Sequence, residues 1–287
     1  MVCLCCLGWI FPSHHLLAQD YASLPDAPGY PLSTAATVPE ALPDGARQAG
    51  TSPVDTTTGV PQREATWRSL PGDFIHDQRD IWTFPIKVAK GHYLLPTAIV
   101  VGGTLGLFVV DPHASHYFST HQKNWDDLND VFDPMIATNE VIALPAALMA
   151  AGYIRHDDRE VNTALLAGEA YCDSVVVNLA MKAVTRRERP SEVRPNGNFS
   201  DTFFDSRKSP FSSSFPSAHA TAVWSVATVV AERYRHRGKF WVPLLSYTLA
   251  TAISFSRITD TAHFPSDVWM GASLGYSIAK YQTLRPR

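Results

Sequence analysis

Residues 216–234 read PSAHATAVWSVATVVAERY. From Thr221 to Tyr234 the run is apolar, outlasts an ordinary strand and shows no period-two alternation, so it predicts a helix. Pro216 and Ser217 in front of it mark the helix start. Five further apolar segments read the same way: Leu94–Val110, Val141–Ile154, Ala164–Val184, Val242–Phe255 and Val268–Tyr281. Six helices and no strand pattern predict an all-α domain. No internal repeat is visible.

The rest of the chain sets limits. Its length of 287 residues allows one large domain or two small ones. Charged residues make up 18% and the net charge is -3, which gives no general push toward nucleic acid. Positive charge is instead local, in Arg186, Arg187, Arg189, Arg194, Arg207 and Lys208. Of the four cysteines, Cys3, Cys5 and Cys6 crowd the N-terminus and only Cys172 lies in the body, so no internal disulfide framework is expected. The CxxC spacing of Cys3 and Cys6 has no second pair to complete a zinc site. His113, His116 and His121 also lack supporting ligands, and Asp126, Asp127, Asp130 and Asp133 read as a solvated acidic loop.

The expected layout has three parts. Residues 1–19 read as a secretory signal with cleavage near Ala18, although no Lys or Arg precedes the apolar run. Residues 20–72 are rich in Pro, Ala, Thr, Asp and Gly without apolar periodicity, and read as a disordered linker. Residues 73–287 form the helical domain. Two locations compete. A cleaved signal implies a periplasmic or secreted, envelope-associated domain, favoured by the short helices and by Glu169 and Asp173 inside the third one. The alternative is an integral protein with six spans, favoured by Arg233, Arg235, Arg237 and Lys239 between the fourth and fifth helices.

Three stretches carry chemistry. Lys182 ends the third helix and Arg189-Pro190 comes seven residues later; a point charge and a planar fork suit phosphate oxygens. Pro216-Ser217-Ala218-His219 opens a helix whose free N–H groups form an anion site, with the Ser217 hydroxyl as a further donor. His219 would lie beside that anion as a proton donor to a leaving alkoxide. In Ser256–Asp267, His263 and Asp267 are four apart, so one helical turn brings them together. A carboxylate on one imidazole nitrogen leaves the other free to attack. Arg257 adds a third cation. Taken singly, each stretch has a plainer reading: cations at a helix end, an ordinary cap, a surface histidine.

The spacing Lys-x6-Arg-Pro, then Pro-Ser-x-His, then Ser-Arg-x5-His-x3-Asp resembles the phosphatidic acid phosphatase type 2 / vanadium haloperoxidase superfamily, over about residues 85–285. The resemblance implies a six-helix bundle core with its active site at the helix ends. By resemblance, His263 is the nucleophile that forms a phosphohistidine, Asp267 orients it, and His219 is the general acid. Lys182, Arg189 and Arg257 form the phosphate clamp, joined by Ser217 and the backbone N–H of Ala218. The family usually has Gly where this chain has Ala218, so a methyl borders the phosphate site. The resemblance thus implies a metal-independent phosphatase of phosphomonoesters, acting on a phosphorylated lipid or small molecule. No cofactor is expected, and no nucleic acid. The alternatives are a vanadate-dependent haloperoxidase, in which the clamp holds vanadate, and a catalytically silent phosphate-binding protein. Oligomeric state and substrate identity are not legible.

Overall fold

The computed structural model describes residues 63–193, 197–205, 209, 211–235 and 239–286, with the side chains of 134–140 excluded. The expected signal and most of the expected linker lie outside the described residues, as do Arg194, Arg207, Lys208 and Arg237. Among the described residues there are nine α-helices and no strand: α1 (Leu70–Trp82), α2 (Phe84–Ala89), α3 (Leu94–Thr120), α4 (Asp126–Val131), α5 (Pro134–Arg155), α6 (Asp158–Thr185), α7 (Ala218–Tyr234), α8 (Trp241–Thr259) and α9 (Pro265–Ile278). The all-α expectation holds. The six apolar segments correspond to α3 and α5–α9.

Helix α7 is the central element. It packs against α6, α8 and α9, while α5 lies on α6 and α3 on α9. Its buried face, Val223, Val226, Ala227 and Val229, meets Leu165, Leu166 and Ala170 of α6 and Ala250 and Ile253 of α8. Each Leu, Val or Ile buried there contributes roughly 1.5–3 kcal/mol. The α7–α9 contact is closer than side chains permit. A Cβ on Gly275 would lie 2.2 Å from the Thr221 carbonyl oxygen, and one on Gly271 would lie 2.6 Å from that of Ser217. These two glycines let the backbones approach, which holds the N-termini of α7 and α9 side by side.

Four expectations need correction. The first apolar helix does not stop at Val110: Asp111-Pro112 looks like a terminator, but α3 runs through Pro112 to Thr120. Asp111 is turned inward, onto Arg187 and Ser266. His113 and His116 therefore sit on α3, and His121 caps it. The acidic stretch is not a loop, since Asp126–Val131 is the short helix α4. Order also begins before residue 73. Arg63 is buried, with its guanidinium on Asp73 at 3.0 Å and Glu169 at 2.7 Å. That ion-pair network anchors residues 63–72, whose composition alone suggests a tether.

Finally, Glu169 and Asp173 do not argue against lipid. Both are buried against the N-terminal segment, so neither faces outward from α6. The exposed surface is instead rich in large apolar side chains. Leu95, Val109, Ile154 and Leu244, on α3, α5 and α8, are each more than 60% exposed. Helices α3 and α6 are long and apolar enough to cross a membrane, and the apolar window of α3 is only 11% buried.

Candidate active site

The three sequence stretches meet at one pole of the bundle. Helix α6 ends at Arg186, whose left-handed backbone (φ 42°) donates its N–H to the Lys182 carbonyl and turns the chain away. The next residues are stitched to the loop before α7. Arg187 N–H donates to Ser213 Oγ at 2.8 Å, and Ser214 N–H donates to the Arg187 carbonyl at 2.8 Å. That loop is joined to α9 by Ser217 N–H, which donates to the Asp267 carbonyl at 3.0 Å. The turn after α8 is fixed by the Ala262 and His263 N–H groups on the Arg257 carbonyl, both at 3.1 Å. Ser191 N–H donates to the Thr261 carbonyl at 3.0 Å and ties this turn to the first stretch.

His263 and Asp267 are both buried, with Nδ1 3.6 Å from Oδ2. That separation is an ion-pair distance rather than a hydrogen bond. Ser214 bridges the two. Its Oγ donates to Asp267 Oδ2 at 2.5 Å and lies 3.3 Å from His263 Nδ1. The same Oδ2 accepts the Phe264 N–H at 2.8 Å, so Asp267 also caps α9. Burial, with the Lys182 and Arg189 charges, pushes the His263 imidazole down from its ordinary 6.5 to about 4, against the pull of Asp267. His263 is therefore neutral at neutral pH. Burial alone would raise the Asp267 carboxyl, but Arg187, His263 and Ser214 outweigh it and hold it below the usual carboxylate range.

Lys182 is buried, and its Nζ donates to the Ser213 carbonyl. Ser217 is the N-cap of α7, extended in backbone, and its Oγ accepts the Ala220 N–H at 3.4 Å. Ala218, the first residue of α7, is exposed, and His219 beside it is half-buried. The Arg189 N–H is held by Glu192 Oε2 at 2.9 Å in a short 3-10 turn, Pro190–Glu192. Arg257 is fully buried, but its guanidinium engages the Phe132 carbonyl and the Ser256 hydroxyl, with Asp260 at 4.0 Å. The Lys182 and Arg189 charges both act on His263.

Sequence reasoning misses the group that supports this site. Arg187 reads as one member of a basic run, yet it is 2% exposed. It donates to Asp267 Oδ1 at 2.6 Å, to Ser266 Oγ at 2.7 Å and to Asp111 Oδ2 at 2.6 Å. Its guanidinium carbon lies 3.8 Å from the ring centre of Phe264 and 4.5 Å from that of Phe203. Asp111 also accepts the Ser266 N–H at 3.0 Å, locking the first turn of α9 onto α3. The available signal is Asp111, the lone acid of α3, placed directly after its apolar run. Ser213 and Ser214 read as part of a polar loop, but both are wholly buried beneath the site.

Residues 163–285 match the family model of the PAP2 superfamily. The match spans all three sequence stretches. A solved structure similar to this chain is a transmembrane PAP2-type phosphatidylglycerolphosphate phosphatase from Bacillus subtilis. It is 18% identical, the alignment covers 74% of this chain and 91% of that one, and the TM-score is 0.35. No curated protein matches the chain. The family match supports a phosphatase-type enzyme.

Proposed function

We propose that this protein is a metal-independent phosphatase that cleaves phosphomonoesters through a phosphohistidine on His263. The observation that carries this reading is the buried His263–Ser214–Asp267 arrangement beside Lys182 and Arg189. A neutral imidazole whose Nδ1 is held by Ser214 and Asp267 presents Nε2 as the nucleophile. Attack forms a P–N bond and breaks the ester P–O bond, while His219 gives a proton to the departing alkoxide. Water then attacks phosphorus, His219 takes a proton from it, and His263 leaves as neutral imidazole. Lys182, Arg189, the Ser217 hydroxyl and the free N–H groups opening α7 stabilise charge on the equatorial oxygens. Arg257 is the third member of this clamp, since its buried Nη1 has no hydrogen-bond partner while Nη2 engages the Phe132 carbonyl.

The apolar exposed faces of α3, α5 and α8 favour a setting in lipid, and with it a phosphorylated lipid as substrate. Two measurements test the reading. One is a panel of lipid and soluble phosphoesters with vanadate as inhibitor; the other is extraction of the envelope with carbonate and then detergent. Vanadate-sensitive hydrolysis of lipid phosphates by the detergent fraction supports it. Bromide oxidation with peroxide and vanadate, without phosphate release, would replace it with the haloperoxidase reading.

A further inference from the structure

A second polar cluster lies well away from the active site. Asp77 on α1 and Glu169 and Asp173 on α6 are all buried, and each offers a carboxylate oxygen within 4.8 Å of the others. Glu169 lies 13 positions before Lys182 on α6, so the cluster sits about 20 Å along that helix from the catalytic pole. Asp73 is beside it, through the shared Arg63 guanidinium at 3.0 Å. Arg63 donates both to Glu169, at 2.7 and 3.0 Å, and lies 3.7 Å from Asp77. His76 Nδ1 is 3.8 Å from Asp77 but exposed. One guanidinium therefore contacts Asp73, Asp77 and Glu169.

Asp173 shows that the cluster is incomplete. It has no exposed surface, and its Oδ1 accepts a hydrogen bond from Gln78 Nε2 at 2.8 Å. Its Oδ2 is buried with no hydrogen-bond partner. A buried carboxylate oxygen facing other carboxylates is costly unless a proton or a cation satisfies it.

We infer that Asp77, Glu169 and Asp173 bind one hard divalent cation of calcium size, which fastens the Arg63–Trp82 segment to α6. The donors are all carboxylate oxygens, the set that selects calcium or magnesium over softer metals. Calcium accepts about six to eight oxygens in flexible geometry, and these three residues offer oxygens within 4.8 Å of one another. Magnesium demands near-ideal octahedral geometry and gives up its waters reluctantly, which suits a buried carboxylate trio less well. Arg63 donates to both Glu169 oxygens and fixes that ligand's orientation, each oxygen keeping a second lone pair for the cation. The site is structural and separate from the phosphatase chemistry.

The test uses purified full-length protein stripped with EDTA. Calcium alone, and magnesium alone, are titrated by calorimetry, and thermal unfolding is followed with and without each. The expected result is one calcium per chain, bound more tightly than magnesium. Calcium at a hundredfold excess over its Kd raises Tm by about 5 °C or more. Asp173→Asn abolishes both signals. Glu169→Gln weakens them and serves as a second variant should the first fail to fold. Turnover, measured where both forms are folded, is unchanged by calcium. Wild-type protein that neither binds millimolar calcium nor gains in Tm overturns the cation site; a higher Tm of Asp173→Asn would then indicate that the carboxylates share protons. Calcium-dependent turnover of the folded protein would equally overturn a purely structural role.

Discussion

Arg187 Nη1 donates to Asp267 Oδ1 at 2.6 Å, and neither side chain reaches solvent. The same guanidinium neutralises Asp111, so one arginine holds α3, the end of α6 and the start of α9 together. Arg187→Met leaves two buried carboxylates without their cation. The expected loss is roughly 3–5 kcal/mol of stability, since removing one partner strands the other charges. Denaturant unfolding measures it. Arg187→Lys keeps the charge but loses the fork, and should fall between the two.

Ser214 stands between the aspartate and the histidine. Ser214→Ala removes a buried donor to Asp267 and a contact to His263 Nδ1. One such hydrogen bond is worth about 1–2 kcal/mol, so kcat should fall about tenfold with KM little changed. Steady-state kinetics give the split. A KM effect instead would mean that Ser214 helps hold the substrate rather than the nucleophile.

His263 sets a pH dependence whose sign is fixed by its depressed folded-state value of about 4 against 6.5. Between these values the unfolded chain binds the extra proton, so stability rises with pH. The contribution is complete above about pH 6.5 and is lost as pH falls toward 4. His263→Asn should flatten this part of the stability–pH curve. The free enzyme should also keep its nucleophile unprotonated down to about pH 4, which the acid limb of kcat/KM reports.

Gly275→Ala should damage stability and catalysis together. The new methyl meets the Thr221 carbonyl at 2.2 Å, so α7 and α9 must separate. Overpacking of this kind costs about 1–3 kcal/mol, and separation parts His219 and Ser217 from Asp267. Gly168→Ala is the control: nothing lies within 4 Å of its Cβ, and alanine in a helix is favoured by up to about 1 kcal/mol. Tm should move in opposite directions in the two variants, and kcat should fall in Gly275→Ala alone.

Most of the fold is legible in the sequence because apolar runs longer than a strand leave one local solution. The motif residues are legible because the proposed phosphate chemistry calls for fixed residue types at helix ends. Arg187 and Asp111 are not. Their pairing spans 76 residues, and nothing local distinguishes a buried arginine from its basic neighbours Arg186 and Arg189. Arg63 is hidden for the same reason: composition describes the average of a segment, while a single ion-paired residue anchors it. Glu169 and Asp173 carry no weight on location, because their burial depends on α1, which has no long apolar signature.

Transfer of phosphorus to His263 is the step on which the proposed chemistry rests. The direct measurement is rapid acid- or base-quench trapping of the full-length enzyme with a phosphorus-labelled lipid phosphate, followed by peptide mapping. The expected product is an acid-labile, base-stable phosphoryl group on the peptide holding His263, absent from His263→Ala. Label on another residue, or full turnover by His263→Ala, would refute transfer to this histidine.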